Sequence, residues 1–216
     1  MGPEITVNIH LRGNLPDLLR GKYSGRAGAP IELSCRECQS IVHLAAILGV
    51  PRVEIGAVTM NGAEAGRDDL PAPGAMIELF PVEEPLPVEG EARFILDVHL
   101  GKLSRDLRLL GFDTLWRNDI GDGEIASETL SGGRIALTRD RQLLSRRALV
   151  RGMLIRSADH YEQLLEVVRR YGLAGMVSPF TRCTVCGGKL EPASKIGLES
   201  ALPDAVARRY DDFFLC

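Results

Sequence analysis

No apolar run in the 216-residue sequence approaches the ~18 residues that a membrane-crossing helix needs, so no membrane partner is expected. The opening residues, MGPEITVNIHL, lack a charged segment followed by an apolar one, so no secretion signal is expected and the cytoplasm is the expected compartment. Cysteine is scarce and odd in number. Of the five, four form two C-x-x-C pairs, Cys35/Cys38 and Cys183/Cys186, and Cys216 stands apart. In a reducing compartment that spacing points to metal binding before disulfides. Neither sign of charge dominates, since the net is only −3.

That small net charge hides a division. Residues 1–90 carry seven basic side chains against twelve acidic ones, whereas residues 91–216 carry 19 against 17. Within 134–156 there are seven arginines and one acid, Asp140. Such a segment is either a solvated face or the footprint of a polyanion.

The hydrophobic pattern changes along the chain in step with the charge. Residues 4–11 alternate apolar and polar as a strand does, and 30–34 fit a second strand. Residues 38–48 place Ile41, Leu44, Ala45 and Leu48 on one helical stripe, ended by Gly49-Val50-Pro51. Strands follow at 54–60 and 75–80, separated by the turn Asn61-Gly62. This ββαββ order resembles the β-grasp fold of ubiquitin and the small sulfur carriers. The activated Gly-Gly end of a sulfur carrier is missing, because the chain runs on through Phe80-Pro81. Cys35 and Cys38 fall at or just before the helix start, where a thiol pKa is lowered and redox or metal chemistry is open to it; the alternative is one buried and one incidental cysteine. Pro81 to Gly90, with three prolines and three glutamates, reads as a stiff polar linker.

From residue 91 strands and helices alternate. Strands are expected at 93–97, 113–116, 134–138 and 149–155, and helices at 98–110, 124–131, 141–147 and 160–171. The helix at 98–110 presents Leu100, Leu103, Leu107 and Leu110 on one face. Alternation of this kind implies a parallel sheet covered by helices on both faces. The fold class is therefore α/β: a β-grasp domain over 1–82, a linker over 83–91, a three-layer α/β/α domain over 92–176, and a cysteine-bearing segment over 177–216. In that segment "RCTVCGGKL" has the form of a zinc knuckle.

Two of the strands end alike, Phe94-Ile95-Leu96-Asp97 and Ile135-Ala136-Leu137-Thr138-Arg139-Asp140. Ligands of open parallel sheets bind at the carboxyl ends of strands. Two carboxylates brought together there repel in a low dielectric, and a hard divalent cation, Mg²⁺ or Mn²⁺, relieves that repulsion. The alternative for each aspartate is a helix N-cap.

The stretches "FILDVHLGKLSRDLRLLGFDTLWRND", "RIALTRDRQLL" and "PFTRCTVCGGKL…YDDFFLC" resemble the PIN-like ribonuclease domain named after the C-terminal part of the Mut-seven exonuclease. Bacterial members often carry an N-terminal ubiquitin-like domain, which suits residues 4–81. The resemblance implies a metal-dependent ribonuclease acting on RNA. Asp97 and Asp140 match its first-strand and T-R-D acids, and Asp122 best matches the acid between them, with Asp119 and Glu124 nearby. Asp159 matches an occasional fourth acid or caps the helix that follows it. Arg139 and Arg108 are candidate phosphate contacts, whereas Lys102 and Arg105 read as solvent-face residues. His99 is a candidate substrate contact or a structural residue. Cys183, Cys186 and Cys216 are the expected zinc ligands. Family ribbons continue to a fourth cysteine, so an incomplete ribbon is expected here. The acidic β-grasp domain is expected to dock a protein or regulate rather than to bind RNA. Other readings left open are a non-catalytic RNA-binding adaptor, a phosphatase using the same acids, and an interaction module allied to sulfur transfer.

Overall fold

The computed structural model describes residues 4–26, 28–36, 39–198 and 202–216. The N-terminal sheet is built from β1 (Glu4–Leu11), β2 (Ile31–Arg36), α1 (Ile41–Leu48), β3 (Ile55–Met60), β4 (Ala63–Glu64) and β5 (Met76–Pro81). Its order is β2-β1-β5-β3-β4. Strand β1 runs antiparallel to β2 and parallel to β5. The alternation in β1 buries Ile5, Val7, Ile9 and Leu11, and α1 lays Ile41, Leu44, Ala45 and Leu48 into the same core. Two 3₁₀ turns, Leu15–Leu18 and Gly21–Tyr23, link β1 to β2. Gly49 ends α1 at φ 97°, and a Cβ there would come within 2.9 Å of the Leu18 carbonyl oxygen. The 15–20 segment is thereby seated against the end of the helix.

Several sequence expectations shift here. The helix starts at Ile41, after Ser40, rather than at residue 38. Cys35 therefore lies on β2, not at a helix start. It faces the core, and burial, followed by the nearby Glu4, raises its thiol pKa. That is the environment of an inert thiol rather than an activated one. Cys38 lies outside the described residues. The Asn61-Gly62 turn leads into the short β4, and β5 pairs with β3 only after the chain returns.

The second sheet comprises β6 (Arg93–Leu96), β7 (Asp113–Leu115), β8 (Ile135–Thr138) and β9 (Gly152–Leu154), all parallel, in the order β7-β6-β8-β9. The helices between and after them are α2 (Gly101–Leu109), α3 (Asp122–Leu130), α4 (Arg141–Leu144) and α5 (His160–Tyr171). The segment expected as one helix from 98 divides into a 3₁₀ turn, Val98–Leu100, and α2. Both faces of the sheet are covered, so its strands are apolar throughout. Phe94, Leu96, Ile135, Leu137 and Met153 pack with Leu103 and Leu107 of α2 and Val167 and Tyr171 of α5. Ile95, Ala136 and Leu154 face the other way, onto Ile125 of α3 and Leu143 and Leu144 of α4. A final segment holds β10 (Glu191–Ala193), α6 (Lys195–Leu198), α7 (Asp204–Arg209) and β11 (Phe213–Leu215), with β10 and β11 antiparallel. Among the described residues no helix is long and apolar enough to cross a membrane.

The core beneath α3 and α4 is continuous with that of the N-terminal sheet. Polar contacts fix the same junction. Glu54 accepts the Leu154 amide at 2.9 Å and stands 3.5 Å from Arg170, both side chains being about 95% buried. The segment expected as a linker is strapped down too: the Leu86 amide donates to the Arg170 carbonyl at 2.7 Å, and Glu84 pairs with the Arg170 side chain. Removing one member of a buried pair costs up to about 3–5 kcal/mol, and although Glu84 still meets Arg170, the loss of Glu54 also leaves the Leu154 amide without its acceptor. Glu54→Ala should therefore lower the unfolding free energy by that order in urea titration, with both domains melting in one transition. A loss within experimental error, or two separated transitions, would show that the junction does not hold the domains together.

Candidate active site

In the order β7-β6-β8-β9, β6 and β8 are neighbours whose outgoing connections leave in opposite directions. That divergence opens a crevice at their carboxyl ends, where parallel sheets bind ligands. The residues after β6 and β8 are Asp97 on one strand and Arg139-Asp140 on the other.

Asp97 is 7% exposed and its carboxylate is fixed from three directions. Oδ1 accepts the His99 amide at 2.8 Å, which caps the 3₁₀ turn. Oδ2 accepts the Thr138 hydroxyl and the Arg139 amide, the latter at 3.1 Å. Two of the three donors thus come from the end of β8, so the register of the two strands and the position of the carboxylate are one fact. The Trp116 indole donates to the Asp97 carbonyl at 3.1 Å. That ring lies over Gly101, where any Cβ would come within 2.8 Å of it.

Thr138, fully buried, joins the two acids. Its hydroxyl donates to Asp97 and accepts the Asp140 amide at 2.8 Å. Asp140 itself is exposed and caps α4 by accepting the Gln142 amide at 2.7 Å through Oδ1. The capping alternative does not exclude a role in the site, because the cap engages only one of the two oxygens. Thr138 was not singled out in the sequence, although the L-T-R-D run contains it.

Asp122 opens α3 and pairs with Arg146 at 2.7 Å. Asp119 and Glu124 both pair with Arg117, at 3.2 and 2.8 Å. Helix α3 follows β7 after residues 116–121. Among the described residues these acids do not close into a set of three with ligand atoms within 4.8 Å. Asp159 caps α5 by accepting the Tyr161 and Glu162 amides, which hold its pKa below the usual carboxylate range. Carboxylate oxygens are hard donors and suit a hard cation.

The arginines divide. Arg108, expected to reach phosphate, is instead 2% exposed. Its guanidinium donates to the carbonyls of Thr114 at 3.0 Å, Val185 at 2.7 Å and Trp116 and Thr184 at 3.3 Å. It ties the cysteine segment to α2, and all three of its nitrogens are engaged by backbone carbonyls. The arginine-rich segment is likewise not one strip. Arg134, at the opposite end of β8, is held by Asp113 and Glu128, and Arg146 is held by Asp122. Arg139 is exposed and lines a cavity of about 380 Å³ with His99, Lys102, Arg105, Trp116 and His160. Lys102 and Arg105, read as solvent-face residues, therefore form a wall of that cavity.

In the C-terminal segment the β10–β11 pairing returns the chain to the knuckle. The ligand atoms of Cys183, Cys186 and Cys216 lie within 4.8 Å of one another, the only such group among the described residues. The Cys186 and Val185 amides directed at Cys183 bring its thiol down to about 7. Three convergent thiols, one already disposed to ionise, could hold a soft or borderline metal ion.

The sequence matches two known families. Residues 92–216 match the family model described as Mut7-C RNAse domain, and residues 5–87 match the one described as Mut7-C ubiquitin. Comparisons with curated proteins and with solved structures give no match. The first match spans the whole parallel sheet, its paired aspartates and the cysteine segment, and on that match the chain belongs to the Mut7-C RNAse domain family, with a Mut7-C ubiquitin domain ahead of it.

Proposed function

We propose that the chain is a metal-dependent ribonuclease whose reacting centre is the crevice between β6 and β8. The observation that carries this reading is the link Asp97–Thr138–Asp140: the Asp97 carboxylate and the Asp140 backbone amide, at adjacent strand ends, share the Thr138 hydroxyl in an RNAse-family domain. Asp97 and Asp140 would hold Mg²⁺ or Mn²⁺, with Asp122 or Asp119 exchanging its arginine partner for the ion. A hard cation bound there supplies two things, a lower pKa for an attacking water and charge to stabilise the leaving oxygen.

The chain's own residues do the rest. Asp97 stays rigid because three donors hold it. Its buried carboxylate is the fixed point of the site, and Asp140, exposed and half engaged, is the adjustable one. Arg139, Lys102 and Arg105 would bind phosphate oxygens and hold the scissile bond at the crevice. Binding of this kind depends on salt and not on base sequence. The cysteine group would take zinc as a structural ion, with Arg108 anchoring the knuckle to the nuclease core. Zinc content should accordingly fall in Cys186→Ser while Asp140→Asn keeps it.

Asp140→Asn is the informative variant for catalysis, because asparagine caps a helix as well as aspartate does. Labelled RNA incubated with Mn²⁺ should be cleaved by the wild-type protein. Cleavage by Asp140→Asn should be slower by on the order of 10²-fold or more, the scale of losing one charge-stabilising group. Equal cleavage by the two proteins, or cleavage undiminished by chelation, would end the proposal.

A further inference from the structure

Arg139 lines two cavities. Besides the one beside Trp116, it borders a second of about 410 Å³ at the junction of the two domains. Asp17, Leu18 and Arg20 of the N-terminal domain form one wall, and Arg141 and Arg156 of the nuclease domain face them. Both cavities fall in the ~300–1,000 Å³ range of ligand sites.

The charge there is unbalanced. Four arginines meet one carboxylate, Asp17, which is 72% exposed and 3.7 Å from Arg156. Among the described residues no salt bridge involves Arg20, Arg139 or Arg141. Arg141 donates to the Leu18 carbonyl at 2.7 Å, so it clamps the two walls together. Burial first, then the like charges of Arg20 and Arg156, hold its pKa below the ordinary arginine value. Arg20 is positioned by its own domain: its amide donates to the Leu48 carbonyl at 3.2 Å, and its stem lies against Gly49. Cations gathered this closely repel one another unless an anion enters.

We propose that the β-grasp domain is a working part of the RNA-binding surface, its Arg20 completing with Arg139, Arg141 and Arg156 a cleft that holds the backbone of a single RNA strand as it leaves the crevice. The ligand's identity rests on the ribonuclease reading; the cleft rests on its own geometry. The domain is acidic as a whole, yet it turns Arg20 to the junction. Both cavities are bordered by Arg139, whose neighbour in sequence is Asp140, and the one beside Trp116 is also lined by His99, two residues after Asp97. A chain of phosphates uses two cavities in series, whereas a lone nucleotide needs one.

The test measures binding of a short labelled single-stranded RNA by fluorescence anisotropy across a range of salt. It uses the full chain carrying Asp140→Asn, with no added divalent metal. Arg20→Gln and Arg156→Gln should each weaken binding and lower the slope of log K against log salt by ~0.7, the value for one phosphate contact on a single strand. Asp17→Asn should tighten binding, a gain that misfolding does not produce. Arg26→Gln, an exposed arginine of the same domain outside the cleft, should bind as the parent does. Uridine monophosphate at matched phosphate concentration should not displace the RNA.

Unchanged binding in Arg20→Gln, an equal loss in Arg26→Gln, or displacement by the mononucleotide would overturn the cleft. Metal-dependent cleavage could still stand in that case. Conversely, Arg20-dependent binding by a protein that never cleaves RNA would overturn only the ribonuclease reading.

Discussion

The structure turns on one carboxylate that three donors hold in place. Asp97 leaves β6 and accepts hydrogen bonds from its own 3₁₀ turn and from the last residues of β8. A buried carboxylate without such partners would be driven to neutralise. With them it stays at the junction of two strands, and any slip in their register would remove two of its three donors. The parallel pairing of Leu96 with Leu137 is what presents Thr138 and Arg139 to it. The same hydroxyl reaches the Asp140 amide, so the second acid is located by the first. Fold and site are therefore not separable here: the sheet order sets the crevice, and the crevice is lined by the groups that terminate the strands.

The second constraint is the core shared between domains. Leu143, Leu144 and Leu154 belong to the same apolar cluster as Ile41 and Leu48 of the β-grasp domain. Burial of this kind, with Glu54 and Arg170 locked beneath it, holds the N-terminal domain in a set position against β9 and α4. That rigidity lets Arg20 act together with residues more than a hundred positions away in sequence. It also explains the behaviour of residues 83–91, whose prolines and glutamates suggest a free linker. Hydrogen bonding of Leu86 and Glu84 to Arg170 turns them into a strap.

Much of this was legible in the sequence because it rests on local signals. Apolar runs ending in aspartate mark strand ends, and the change from alternating to helix-separated patterning marks the passage from one sheet to the next. The C-x-x-C-G-G knuckle needs only a few residues to declare itself. What escaped depended on tertiary packing. Arg108 resembles any basic residue on an amphipathic helix, and only the approach of Thr184 and Val185 shows that it is buried and spent. Cys35 takes its character from the buried face of β2, which runs two residues past the expected end of that strand. The seven arginines of 134–156 read as one patch. The sheet sends Arg134 to the opposite edge, leaves Arg146 to Asp122, and reserves Arg139, Arg141 and Arg156 for the junction. Arg20 carried no sequence signal, since its role depends on a domain contact.

The proposed reaction needs a hard cation between the side chains of residues 97 and 140. Its most direct test is a crystal structure of the full chain soaked in Mn²⁺, with anomalous scattering used to locate the metal. The expected result is a peak in contact with carboxylate oxygens of both Asp97 and Asp140, with Asp122 or Asp119 turned away from its arginine toward it. A crevice without a peak under conditions that support cleavage, or manganese bound only at another site, would contradict it.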